Sequence, residues 1–146
     1  MIPYLVDSNV FSEFFKEKRH PSVMEWLMTH DWYIPVVIVS EILEGIEACA
    51  SERKRLEFRI IFDGLLDQYG NFVVDWDMET ALTWARLSHS QASKRQPQAL
   101  WDSLIDAMGV RHNAVIVTRN GKDFRHSTTL DPWTGLEYTP GKPAAG

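Results

Sequence analysis

A three-layer α/β/α sandwich around a central, mainly parallel sheet is predicted by three features of the chain. Two short apolar runs, residues 4–6 and 114–117, each stop abruptly at polar turn residues, as strands buried on both faces do. Around them lie segments with apolar residues at i, i+3, i+4 and i+7, the period of an amphipathic helix. Strand-like and helix-like stretches alternate throughout, the order of a parallel sheet with helices packed on it.

The first run ends at Asp7. Open α/β sheets place their chemistry at the carboxyl ends of strands, although an aspartate there also reads simply as a helix N-cap. Ser8 and Asn9 are turn and cap residues, and Val10, Phe11, Phe14 and Phe15 follow at helical spacing. Pro21 suits the first turn of a helix over 22–29, with Val23, Trp26 and Leu27 facing the core. Residues 33–36 read as a short strand whose Pro35 belongs at its end or at an edge. A helix over 37–47 follows, and Val39, Ile42, Leu43 and Ile46 leave Glu41 beside the core, unusual for a glutamate without a partner.

Residues 53–69 form a long amphipathic helix that Gly70 and Asn71 end. A strand over 72–74 leads to Asp77, a cap for a helix over 78–91, then a polar loop over 93–98. In the next helix, 99–111, Trp101, Leu104, Ile105 and Met108 make the apolar stripe, and Asp102 and Asp106 stand one turn apart beside it. Strand 114–117 runs into a polar turn holding Thr118, Asn120 and Asp123, and Thr129 and Leu130 read as a last edge strand.

The 146 residues support one domain, here 1–136, with 137–146 expected to be a disordered tail. No repeat, low-complexity block or membrane-length apolar segment occurs, and the apolar start is too short and too soon acidic for a signal peptide. Cys49 is the single cysteine, which fits a reducing cytoplasm and excludes an internal disulfide. The net charge of −5 argues against indiscriminate nucleic-acid binding, but a carboxylate cluster that holds a metal ion is acidic by necessity.

Asp7, Glu41, Asp102 and the Asn120/Asp123 turn all fall at or near element ends. If the strands before Asp7 and Asn120 are neighbours, all four converge on one edge. Gathering carboxylates without cations is unfavourable through repulsion and desolvation, and oxygen-only clusters suit Mg²⁺ or Mn²⁺. The five histidines show no paired spacing for zinc.

Together these residues resemble the PIN-domain proteins of the VapC/FitB toxin group. LVDSNV from Leu5 is similar to that group's LLDTNV, and Glu41-Ile-Leu-Glu-Gly45-Ile to its E-L-x-x-G-I helix. Trp84-Ala-Arg-Leu87, Asp102-Ser-Leu-Ile-Asp-Ala107, Val117-Thr-Arg-Asn-Gly-Lys-Asp-Phe124 and Leu130-Asp-Pro-Trp133 resemble W-A-R-L, D-x-x-I-A-A, V-T-R-N-x-x-D-F and L-N-P-W, in the same order. The resemblance spans about residues 2–134. It implies a Mg²⁺-dependent endoribonuclease, the toxin of a bacterial toxin–antitoxin pair, silenced by a cognate antitoxin and working as a homodimer without a membrane.

By position, the resemblance makes Asp7, Glu41 and Asp102 metal ligands and puts Asn120 at a fourth position that is often Asp. Asp106 stands where the group has a small residue, and reads as an exposed helix carboxylate or an outer-shell acid. Thr118 and Asp123 complete the candidate outer shell. Arg119, Lys122 and Arg125 are candidates to grip RNA phosphates, although each also reads as a plain surface charge. The aromatic bulk of Phe11, Phe14, Phe15, Trp26 and Leu27 suggests a docking face for an antitoxin helix. Two alternatives are a catalytically inactive PIN module acting by protein binding and a receiver-like phosphoacceptor domain. The latter lacks its middle-strand acid here.

Overall fold

The computed structural model describes residues 1–90 and 97–141. A six-stranded sheet runs β3-β2-β1-β4-β5-β6. Its strands are β1 (Tyr4–Val6), β2 (Trp32–Pro35), β3 (Val73–Val74), β4 (Val115–Val117), β5 (Thr129–Leu130) and β6 (Glu137–Tyr138). All neighbours pair parallel except β5 and β6. The central pair is β1 and β4, in register Tyr4–Val115, Leu5–Ile116 and Val6–Val117. The two apolar runs therefore lie side by side, and their polar ends open on the same edge.

The helices are α1 (Ser8–Phe11), α2 (Pro21–Thr29), α3 (Val36–Glu47), α4 (Glu52–Tyr69), α5 (Met78–Ser88) and α6 (Leu100–His112). Their ends carry local signals. Ser51 Oγ accepts from Lys54 N at the start of α4, and Asp77 Oδ1 accepts from Thr80 N at the start of α5. Asn113 closes α6 in the left-handed conformation, φ 50°.

Strand alternation separates two apolar layers. Val6, Trp32 and Ile34 are buried with Val10, Phe11, Phe14, Val23, Leu27, Phe62 and Leu65 from the first helices and α4. Leu5 faces the other way, with Met108 of α6, Val74 and Ala114. Each fully buried side chain of this size contributes about 1.5–3 kcal/mol, so the sheet is clamped between helices on both faces.

Several expected boundaries move. The helix expected through Phe15 stops at Phe11, and Ser12–Phe15 tighten into a 3₁₀ turn that brings Phe14 within 6.0 Å of Trp32 and 5.5 Å of Tyr69, ring to ring. The helix expected over 78–91 ends at Ser88; its last residue and most of the loop expected over 93–98 lie outside the described residues. β5 is not the edge: β6 pairs with it antiparallel, so the sheet continues past residue 136. The rest of the expected tail, 142–146, lies outside the described residues.

Gly109 marks the closest approach of α6 to the sheet. A Cβ there would stand 2.5 Å from Ser127 Oγ and 3.0 Å from Ile116 Cδ1, and Ser127 Oγ is committed to the Asp106 carbonyl at 3.1 Å. Gly109→Ala is expected to destabilise the protein by about 1–3 kcal/mol through overpacking. Thermal melting checks this; an unchanged midpoint would mean that α6 can shift off the sheet freely.

Candidate active site

Four elements deliver acids to the carboxyl edge of the sheet. Asp7 follows β1 and caps α1, its main-chain oxygen accepting from Val10 N and Phe11 N. The cap is thus Asp7 itself, with Ser8 and Asn9 already helical. Glu41 stands on α3, which begins as soon as β2 ends at Pro35. Asp102 sits in the first turn of α6. Asn120 and Asp123 belong to the turn after β4.

Asp7 is 5% exposed and held on all sides. Its N–H donates to Val117 O at 2.9 Å, fixing it to the end of β4. Oδ1 accepts from Ser8 N at 2.7 Å, and Oδ2 accepts from the buried Thr118 hydroxyl at 2.7 Å. Asn9 Nδ2 lies 3.4 Å from Oδ2 and 3.2 Å from Thr118 Oγ1, while Asn9 Oδ1 accepts from Arg119 N. Asn120 N donates to Thr118 Oγ1 at 3.1 Å. Thr118 and Asn9 therefore lock the two strand ends together around one carboxylate.

Burial and mutual repulsion both act on these acids. Burial raises the Asp7 carboxyl above its ordinary value, against the lowering pull of the Thr118 and Ser8 hydrogen bonds, and the charge of Asp123 raises it further. Burial also raises Glu41, partly offset by the Ser8 side chain, with the Asp7 charge adding to the rise. Asp102 is pushed up to about 6, by burial first and then by the charges of Asp7, Asp123, Glu41 and Asp106. Glu41 Oε1 is buried without a hydrogen-bond partner. The carboxylate of Asp123 is felt at both Asp7 and Asp102, whereas Asn120 is exposed. Among the described residues, no three His, Cys, Asp or Glu side chains form a ready-made metal cage.

Asp106 departs from the expected exposed carboxylate. It is 1% exposed. Oδ2 accepts from Gln98 Nε2 at 3.0 Å, Arg125 N at 2.8 Å and His126 N at 3.1 Å, and Oδ1 is left without a partner. Three N–H donors replace the water that burial removes. Gln98 Nε2 also donates to Asp123 O at 3.0 Å, so this amide, with no signal in the local sequence, ties α6 to the turn that carries Asp123. Of the expected phosphate-binding cations, Arg119 and Lys122 are exposed, and Arg125 is half-buried and donates to the Lys122 carbonyl.

Phe11, Phe14 and Leu27 are core, and Trp26 packs edge-on against Tyr4. Of the set expected to form a docking face, Phe15 lines a cavity with Ser8, Ser12, Glu41, Ile42, Ile46 and Phe58. The cavity measures about 380 Å³ and opens directly beside Glu41.

The site thus stands at the carboxyl edge of a mainly parallel α/β sheet, where open sheets of this class place their ligands. The chain belongs to the PIN domain family, whose profile matches residues 4–128. It is 24% identical to the ribonuclease VapC1 of Rickettsia felis over 118 residues, 81% of this chain and 87% of that one. It is 22% identical to the toxin FitB of Neisseria gonorrhoeae over 135 residues, 88% of this chain and 97% of that one. The crystal structure of FitAcB from Neisseria gonorrhoeae superposes with a TM-score of 0.76 at 21% identity, covering 89% of this chain and 98% of that one. The Rickettsia felis VapBC2 structure, bound to a promoter DNA fragment, gives 0.71 at 18%, covering 90% and 100%.

The raised Asp102 pKa makes stability pH-dependent. A folded pKa near 6 against an unfolded value near ~3.9 means that the folded state holds the proton more tightly between those values. The metal-free protein is therefore expected to lose stability as pH rises from about 4 to about 6, by about 1–2 kcal/mol once solvent screening of this half-exposed group is allowed for. Asp102→Asn should flatten the loss and stabilise the metal-free protein at pH 7. Thermal melts in EDTA across this range check it; a wild-type midpoint that rises over the same interval contradicts the electrostatics.

Proposed function

We propose that this chain is an endoribonuclease that hydrolyses phosphodiester bonds in RNA, acting as the toxin of a toxin–antitoxin pair. One observation carries the reading: Asp7, Glu41, Asp102 and Asp123 meet at one sheet edge, with Glu41 Oε1 buried and unpartnered, in a PIN-domain chain whose relatives are named ribonucleases.

The donor set fits Mg²⁺ or Mn²⁺, since every group is an oxygen and one is orphaned. Asp7 and Asp102 would hold the ion, with Glu41 beside them. When bound, such an ion supplies charge neutralisation and a water of lowered pKa.

The chain's own residues supply the positioning. Thr118 and Ser8 fix the Asp7 carboxylate in one orientation. With Asp102 given to the ion, Glu41, raised by burial above an ordinary carboxyl, would be the group that accepts a proton. Asp123 and Asn120 shape the outer rim, and Asp106 acts through the loop that it holds rather than at the edge itself. Arg119 and Lys122 face the phosphates from outside the acid cluster.

The cavity beside Glu41 is the proposed seat of a cognate antitoxin helix, because similar solved structures include a toxin–antitoxin complex from Klebsiella pneumoniae. A homodimer would cover Met78, Leu82 and Leu100, exposed on α5 and at the start of α6. Among the described residues no helix is long and apolar enough to cross a membrane.

Cleavage of total bacterial RNA by the purified chain tests the activity. It is expected with Mg²⁺ or Mn²⁺, to stop with EDTA, and to fall at least ~10³-fold in Asp7→Asn, the several kcal/mol that loss of a charge-stabilising site forfeits. Intact RNA with both ions, or full cleavage by Asp7→Asn, would falsify the assignment. For the partner, Phe15→Glu is expected to abolish capture of the antitoxin encoded beside the toxin while leaving the fold intact; unchanged capture by a folded Phe15→Glu protein would remove the cavity as the docking seat.

A further inference from the structure

The carboxyl edge carries a cation whose partner is an aromatic face. Arg119 Cζ stands 4.3 Å from the centre of the Trp133 ring. Its backbone is anchored in the site: Arg119 N donates to Asn9 Oδ1 at 3.2 Å, and Asn9 reaches both Asp7 and Thr118. Among the described residues, ion pairs join Lys16, Arg53, Arg59 and Arg111 to carboxylates, and Arg119 enters none of them.

Trp133 is itself held. Its N–H donates to Asp131 Oδ1 at 2.8 Å, and the Asp131 carbonyl accepts from Thr134 N and Gly135 N. The ring packs against the main apolar cluster. It stands in the turn after β5, which pairs with the strand that delivers Arg119.

We propose that Trp133 is a positioning residue for Arg119, holding its guanidinium at the rim of the acid cluster as a phosphate-binding cation for RNA. The inference rests on the ribonuclease reading above and adds to it how the substrate's charge is admitted. The chain carries a net charge of −5, and several carboxylates line the edge, so an approaching phosphodiester meets repulsion. An arginine paired to a carboxylate would bring no net charge to offset this. An arginine held over an indole keeps its full charge, and its in-plane N–H groups stay available to phosphate oxygens. Holding it in advance also lowers the ordering entropy lost on binding.

The test is a double-mutant cycle in the non-cleaving Asp7→Asn protein, reading affinity for a labelled 20-nucleotide mixed-sequence RNA across a salt series. Arg119→Gln is expected to weaken binding about 10-fold and to reduce the salt slope by about 0.7, the release of one counterion from a single strand. Trp133→Leu should weaken it about 3- to 10-fold, and Trp133→Phe, which keeps an aromatic face, by less. In the Arg119→Gln background, Trp133→Leu should weaken binding no further. Equal weakening with and without Arg119 would show that the ring acts alone, by base stacking, and overturns the proposal. If Trp133→Leu fails to fold by thermal melting, the Trp133→Phe cycle decides in the same way. RNA cleavage by the wild-type chain together with an additive cycle refutes this inference alone; no cleavage and no binding refutes the ribonuclease reading with it.

Discussion

A 2.7 Å hydrogen bond from Thr118 Oγ1 to Asp7 Oδ2 joins the carboxyl ends of β1 and β4, and the placement of the other site residues follows from that join. β2 lies on the far side of β1 and hands directly into α3, which sets Glu41 at the same edge. β4 continues into the turn of Arg119, Asn120 and Asp123. The main-chain bond from Asp7 N to Val117 O makes this register a continuation of the sheet ladder. A slip of one residue would turn Asp7 and Thr118 to opposite faces.

The cluster is an unfavourable arrangement that the remainder of the fold holds in place. Three of its carboxyls are raised, each by burial before any neighbouring charge. Native proteins keep such tension where the surrounding structure over-determines it. Here that structure is the two-sided apolar packing of β1 and β4, together with the Asp106 staple. A buried carboxylate with three N–H donors fastens the turn after β4 onto α6, one helical turn from Asp102. Two acids on one helix thus have opposite duties, Asp102 facing the edge and Asp106 facing inward.

Much of this arrangement was legible in the sequence because its signals are local. Apolar runs that end at Asp7 and Thr118 gave the strands, and the apolar surroundings of Glu41 gave its position beside the core. What was not legible depends on partners distant in the chain. Asp106 looks solvated by helical position, and only the loop 19 and 20 residues onward, with its two N–H groups, buries it. Phe14 looked like surplus apolar surface until Trp32 and Tyr69 closed over it, and Phe11 packs in turn on Phe14. β6 was missed because a strand of two exposed residues has no periodicity to read.

That short antiparallel strand has a consequence for how the molecules coexist in solution. Among the described residues the sheet ends on both sides in strands of two residues, β3 and β6. Each offers too few unpaired main-chain groups to template another chain, and β6, running opposite to the strands beside it, screens the buried Thr129 and Leu130 of β5. Long, flat open strands are where α/β sheets stick to one another. A protein whose own sheet is capped in this way can leave apolar surface elsewhere for chosen partners and still resist edge-to-edge aggregation.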